Sequence, residues 1–586
     1  MKNISLIASA SVAFAASVAS AATIVVTTAA DSGDGSLRSA AGSARAGSVI
    51  TFNLSTNDAG YNDTSRTWSI TLTNGPIRFR NAIAIHGGGT VSINGRARNR
   101  ILTYEGTDTL TLTGLTFLNG KAAGRGDYGA GGAVWSRGSV IATRCFFAGN
   151  AADRVAGAVW ASQSVTADGC EFTGNTADLG GGAVCADKGS ATLAGCVFTG
   201  NSADKGTAVS AHGTATLTDC TFSGNAPRRR GGVTSGAVRA DTVTAADCVF
   251  SGNTAHTGAA VDAATVTLTD CVFTGNAATD SGGAVSASAA FTATGCTFAD
   301  NTAGDSGGAV SAGGKGAFTA SGCTFTGNAA HGSGGAVSAG HSVAATGCAF
   351  FDNTAGKGGA VSAAFVTARN CAFAGNAAES DGGAVYASRA ATVTGSVFTD
   401  NAATCSGGAV YASGPSAVAN SSIACNRTGR EYSGAIDATG AVYLYHATVA
   451  DNGGSGVYVR DAQTAPTLYA YNSIIVGNSA KIQAGFGHLN TITAFSSGDI
   501  TGASLIERVT GGASREAVFG ANEADADGVI APRGGGPADK AAHALAAAGI
   551  AVPTGTDARD VIDALRSDIS GARRPAAGKV SHGAKE

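Results

Sequence analysis

Ala215-Thr216-Leu217-Thr218-Asp219-Cys220-Thr221-Phe222-Ser223-Gly224-Asn225 decides the fold of this chain. Ala215 and Leu217 alternate with threonines, and Cys220 and Phe222 alternate with Thr221 and Ser223. Parity breaks between Leu217 and Cys220. Period-2 alternation marks a half-buried strand, and a break in its parity marks a corner. Asp219 stands at the break, and Gly, Asp or Asn stands before the cysteine position in its neighbours, as at Gly195, Asp247 and Asn370. These residue types tolerate left-handed backbone angles, so the corner is sharp. A second corner falls at Asn225. The residue before that Asn is Gly or Asp in nearly every unit, which accounts for Asp300, Asp352, Asp400 and Asp451 as turn residues rather than a carboxylate array.

The same unit recurs. Its Asn falls at Asn150, Asn175, Asn201, Asn225 and on to Asn478, at steps of 23 to 28 residues. A fixed period of this length means a solenoid, in which each unit buries its apolar face only by stacking on the next. After the Asn corner comes a third short strand, Gly283-Ala284-Val285-Ser286-Ala287 in one unit. Three strands and three corners per coil of about 25 residues predict an all-β, right-handed parallel β-helix, its hand following the crossover preference of parallel strands. Cys170, Cys196 and Cys220 then share one vertical file, Phe172, Phe198 and Phe222 a second, and Asn150, Asn175 and Asn201 a third, with amides bonding along the column. Fourteen rungs give a rod of about 65–70 Å.

Residues 1–21 read as an export signal: Lys2, an apolar run from Ile4 to Val18, and a small-x-small site at Ala19-Ser20-Ala21. Residues 22–130 are expected to form an N-terminal cap and first irregular coils, with a short helix over Gly35 to Ala41. Residues 131–478 form the repeat domain. Residues 479–586 hold the last coils, a cap helix over Ala538 to Ala548 and a polar tail. No segment of the mature chain reads as transmembrane. Among 586 residues, 44% are apolar and 13% charged, and the net charge is −3. A near-neutral surface offers no field for nucleic acid. Ten of the 13 cysteines occupy one repeat position, where Ser396 stands in at the next unit, so a buried column of thiols acting as small hydrophobes is favoured over disulfides. Cys185, Cys405 and Cys425 lie off that column, and a Cys405–Cys425 bridge is an open alternative. No Cys-x-x-Cys occurs, and neither metal nor cofactor is expected.

Phe325-Thr326-Gly327-Asn328 with Gly334-Gly335-Ala336-Val337, and Phe373-Ala374-Gly375-Asn376 with Gly382-Gly383-Ala384-Val385, alternate on this period. The pair resembles the repeats of polymorphic outer membrane proteins, over about residues 117–478. The resemblance implies a surface-exposed β-helix with an adhesive role, extracellular or held at an outer membrane. The opening around Asp31 to Arg38 looks like the N-terminal cap of secreted bacterial β-helix proteins. Members that are autotransporters carry a C-terminal membrane barrel, whereas this chain runs to Ala584-Lys585-Glu586 without such a pattern.

Catalysis on a solenoid needs ionisable groups converging from neighbouring rungs. Of the outward residues between Cys and Phe, only Glu171 titrates. In the row after the valine of the third strand, Arg239 and Asp262 are neighbours and read as an exposed ion pair. No catalytic residues are assigned. The candidate contacts are Trp135 with Trp160 and Tyr386 with Tyr411, paired on adjacent rungs, where aromatic faces hold sugar rings or shield the sheet. Pro227-Arg228-Arg229-Arg230 lengthens one corner into a basic knob suited to an anionic glycan or lipid. Thr166, Thr192, Thr216, Thr244, Thr267, Thr292, Thr319, Thr367 and Thr392 form an outward column broken by Ala344, a pattern compatible with ice binding but also with ordinary strand preference. The favoured reading is an exported, monomeric, adhesin-like rod contacting a cell surface, glycan or protein. The alternatives are a polysaccharide lyase or glycoside hydrolase of the pectate lyase kind, and, third, an ice-binding protein.

Overall fold

The computed structural model describes residues 22–229, 232–430, 433–445 and 447–459, together with 467–476, 478, 485–493 and 509–510. The expected export signal, the cap helix over Ala538 to Ala548 and Arg230 lie outside the described residues.

The chain winds through about 17 turns of about 25 residues each, nearly all strand. Thr214–Thr218 forms one face of a coil, Thr221–Ser223 a second and Val209–Ala211 a third. They are called here the Thr, Phe and Val faces. Each strand pairs in parallel and in register with its counterparts one rung away, as Phe198 with Phe222 and Phe222 with Phe250. In several coils the Val and Thr faces are one bent strand, such as Val238–Ala246, so that junction is softer than the other two. A further two-residue strand, such as Thr254–Ala255, follows the Asn corner and stacks in its own file. Sequence alternation could not show it, because two residues are too few to carry a period.

The corners are left-handed where expected. Asp219, Asp247 and Asp270 have φ of 51°, 54° and 50°, and Asp300, Asp352, Asp400 and Asp451 lie between 52° and 54°. This geometry also explains why Asp and Gly alternate up the second corner. A Cβ on Gly375 (φ 64°) would run into Oδ1 of Asp352 one rung earlier, and one on Gly327 into Oδ1 of Asp300, so an Asp at this corner favours Gly on the next rung, although Cys425 follows Asp400. The second glycine of Gly-Gly-Ala-Val has a different cause: a Cβ on Gly308 would meet the carbonyl of Gly335 in the following coil.

Three files fill the interior. Phenylalanine rings from Phe117 to Phe398 stack face on, with centroids 4.7 Å apart between Phe198 and Phe222 and 4.8 Å between Phe250 and Phe273. Their planes differ by 2° and 1°, so the rod barely twists per rung. The asparagines are fully buried. Asn201 Nδ2 donates to Asn225 Oδ1 (3.1 Å) and to the Phe172 carbonyl (2.9 Å), while its backbone N–H donates to the same Oδ1 (2.9 Å). Every polar atom of the amide is thus used, which offsets the cost of burying it. Cysteine thiols turn back on their own strand, Cys220 Sγ donating to the Thr218 carbonyl at 3.3 Å. Ser396 makes the equivalent bond to Thr394 at 3.0 Å. No disulfide forms among the described residues, so the Cys405–Cys425 alternative is not realised. Instead Cys425 occupies the left-handed corner before Asn426, with φ 58°.

The coils start earlier than the visible repeat. Thr23–Val26 pairs with Ser48–Phe52, which pairs in turn with Ile83–Asn94, so the N-terminal region already winds. Its core is Ile50, Ile70, Ile85 and Ile93 rather than Ala, Cys and Phe, which hid the period. The short helix is Leu37–Ser43, capped by Ser36, whose side chain accepts from the Ser39 N–H. Leu37, Ala40 and Ala41 face the core and close that end. Arg38 pairs with Asp31 at 2.6 Å and donates to the carbonyls of Gly75 and Pro76, locking the cap.

Candidate functional site

One row runs the length of the Val face, one residue after each valine. Register carries it from Trp135 and Trp160 past Cys185, Ser210, Arg239 and Asp262, along serines, and onto Tyr386 and Tyr411. The row is half-buried because a glycine corner stands beside it, in the same coil or the one before. A Cβ on Gly206 would come within 3.1 Å of the Ser210 Cβ in its own coil, and one on Gly358 within 3.1 Å of the Tyr386 Cβ in the following coil.

At its N-terminal end Trp135 and Trp160 stack with centroids 5.3 Å apart and planes 11° from parallel. Trp160 is only 6% exposed and packs with Ala130, Ala156 and Cys185. Arg100 lies over Trp135 at 5.8 Å, and its guanidinium donates to the carbonyls of Asp127, Tyr128, Ala130 and Gly131. Burial, with Arg78 nearby, pulls this guanidinium down to about 10. The tryptophan expected at the surface, Trp160, is therefore a packed anchor under the corner, and with Trp135 and Arg100 it fastens the loop at residues 126–131. Burial likewise pushes the neighbouring Cys185 thiol up to about 12, with Asp187 adding to the effect.

At the other end Tyr386 and Tyr411 stack at 5.3 Å and 9°, both part-exposed, with Lys357 Nζ 5.2 Å from the Tyr386 ring centroid. Stacked rings with an ammonium alongside form an amphipathic platform.

The basic knob is not free-standing. Arg228 reaches Asp178 at 3.0 Å, and Arg229 lies 3.9 Å from Asp178 and 3.8 Å from Asp204. The insertion folds back over two preceding coils, whose carboxylates pair with Arg228 and Arg229 while both side chains stay part-exposed. The same insertion supplies Ser235, whose Oγ accepts from the Gly206 N–H at 3.2 Å and hydrogen-bonds the Asp262 carboxyl. Burial raises the Asp262 carboxyl against the opposing pull of Arg239, Ser235 and Lys205. Arg239 and Asp262 are neighbours as expected, 4.0 Å apart, but Asp262 is more enclosed than an exposed pair. Sequence reasoning missed Ser235, Lys205 and Asp204; the unusual length of that corner was the available signal.

The family model for the right handed beta helix region matches residues 64–238, 155–314 and 238–427. The chain belongs to the right-handed β-helix family. No curated protein and no solved structure matches it. Among the described residues of this β-helix, no three His, Cys, Asp or Glu side chains gather as a metal site, and no helix is long and apolar enough to cross a membrane. Two places on its outer surface could act chemically: the tyrosine platform, as a stacking surface, and the Asp262–Arg239–Ser235 group, as a half-buried acid with a cation beside it.

Proposed function

We propose that this β-helix is an exported contact protein, extracellular or held at an outer membrane, that binds a cell surface, glycan or protein partner as a monomeric rod. Its resemblance to polymorphic outer membrane protein repeats supports the adhesive role. The observation that carries the reading is the platform of Tyr386 and Tyr411 beside Lys357, a part-exposed pair of aromatic faces on a rigid element. A sugar ring stacks on such faces, and the rod holds them without loop ordering, so little entropy is lost on binding. Glycan-array binding and cell attachment by the purified chain test the reading. The double substitution Tyr386→Ala with Tyr411→Ala should abolish binding while leaving the fold intact. Unchanged attachment by that variant and by a deletion strain removes the adhesive role.

A second reading, a polysaccharide-acting enzyme, is favoured by Asp262. A carboxyl raised by burial beside Arg239 and Lys205 has the character of a general acid held near an anionic chain. Turnover of pectins, alginates or glycosaminoglycans that Asp262→Asn eliminates would establish it; silence on all three retires it.

A further inference from the structure

The Thr face carries more than the single threonine column. Thr214, Thr216 and Thr218 pair one rung on with Thr242, Thr244 and Ala246, and these pair with Thr265, Thr267 and Thr269. The register continues through three further rungs to Ser342, Ala344 and Thr346. Six rungs by three columns thus hold twelve threonines, two serines and four alanines, with no charged and no aromatic side chain. None of the eighteen is buried. The rung before the block, with Thr192 and Ala194, is uncharged as well; Asp168 one rung further back and Arg369 directly after the block bound the outer column, and the exposed corner residues Asp219, Asp247 and Asp270 border it along the first three rungs. The field is also flat, since the phenyl rings stacked behind these rungs turn by only 1° to 7° per rung.

We propose that this field binds the ordered water lattice of an ice crystal. The eighteen positions offer no charge to an ionic partner, the carboxylates of Asp219, Asp247 and Asp270 standing only along one edge, and without aromatic rings they give a sugar nothing to stack on. What it offers is a repeat of hydroxyl and methyl groups at the rung spacing, 4.7 to 4.9 Å by the ring centroids. Water held tetrahedrally through O–H···O bonds of about 2.75 Å repeats its oxygens about 4.5 Å apart. The mismatch accumulates to about 1.5 Å over the five intervals between six rungs at the strand spacing of about 4.8 Å, so with the central rungs in register the outermost ones are displaced by about 0.75 Å, a sixth of a lattice repeat. Threonine is stiff at χ1, so its hydroxyl and methyl keep their places. Contacts that are individually weak then add, because the first one orients all the others.

Thermal hysteresis, crystal shaping and inhibition of ice recrystallisation by the purified full chain test this. The wild type should show all three. Thr244→Lys with Thr267→Lys, at the centre of the field, should abolish them with an unchanged circular dichroism spectrum and melt. Glu171→Lys, exposed on another face, should leave them intact. Absence of shaping and recrystallisation inhibition in the wild type overturns the proposal, as does equal loss in the Glu171→Lys control. Wild-type binding to crystalline chitin or cellulose that the threonine variants lose, without any effect on ice, overturns it in favour of a polysaccharide lattice. Cell attachment through the tyrosine platform is measured separately, so either proposal can fail alone.

Discussion

Replacing Asn276 with Asp exchanges one NH2 for an oxygen of the same size inside the amide ladder. Asn276 Nδ2 donates to the Phe250 carbonyl and to Asn301 Oδ1, both at 3.0 Å, while its own Oδ1 accepts from the Asn253 N–H and Nδ2. An aspartate there would place a second oxygen against two acceptors, with no water to separate them. The carboxyl must therefore take a proton and donate one bond, losing the other. In the protonated form the cost is one lost donor, about 1–3 kcal/mol. Burial among acceptors raises the folded pKa, toward about 8–9 in the strongest cases, above an unfolded value of about 3.9. The raised acid keeps its proton in the folded state while the unfolded chain releases it, so stability falls as pH rises between those values. The slope is about 1.4 kcal/mol per unit, which makes the additional loss about 4 kcal/mol between pH 4 and pH 7. Asn276→Ala leaves the Asn253 donors unmet as well, but at a cost that does not depend on pH. A rod of stacked coils need not unfold in one step, so the assay is hydrogen exchange in the rungs of Asn253, Asn276 and Asn301 beside a urea midpoint, at both pH values and against wild type. Equal destabilisation of Asn276→Asp at pH 4 and pH 7, or wild-type stability at pH 7, would refute the buried-ladder account.

Phe222→Ala removes a fully buried ring between Phe198 and Phe250 and should cost about 3–5 kcal/mol, read as a shift in urea midpoint, with Phe222→Leu costing less. Gly375→Ala should lower the melting temperature through the clash with Asp352 Oδ1, and Asp352→Gly should recover part of that loss in the double variant; strain that remains in full would show that φ at residue 375 alone matters. A thiol reagent added to the folded chain should leave the ten column cysteines unmodified and reach the half-buried Cys405 and Cys425 first, with the column reacting only in denaturant. Cys220→Ser should be tolerated, because Ser396 already makes the same strand-backward bond.

The parts legible from sequence were those that repeat at the same offset. Cys220, Phe222 and Asn225 declare their neighbours because most rungs share one requirement: an amide needs an amide above it, and a ring stacks on a ring until Ile423 and Val449 continue the file after Phe398. Corners were legible for a related reason, since few residue types accept φ near 50°. The N-terminal coils were less visible because Ile50, Ile85 and Leu112 fill the same interior with no fixed identity at each height. Any aliphatic of suitable volume serves there.

The outer surface obeys a different logic, and that is why its chemistry was only partly readable. Side chains of a solenoid exterior meet partners from other rungs, so their environment is set by insertions rather than by their own coil. Arg100 covers Trp135 from the coil before it, and Arg228 and Arg229 settle on Asp178 and Asp204, two coils and one coil earlier. In each case a long cation crosses the period that makes the interior predictable. The Thr face shows the converse. There the insertions between Thr214 and Thr346 fall at the corners, the three columns within the strands stay in register, and the surface becomes as periodic as the core behind it. A surface with that property is constrained by backbone pairing alone. It can match only a ligand that repeats on the same scale, whereas the tyrosine platform, built from two rungs, suits a ligand that does not repeat.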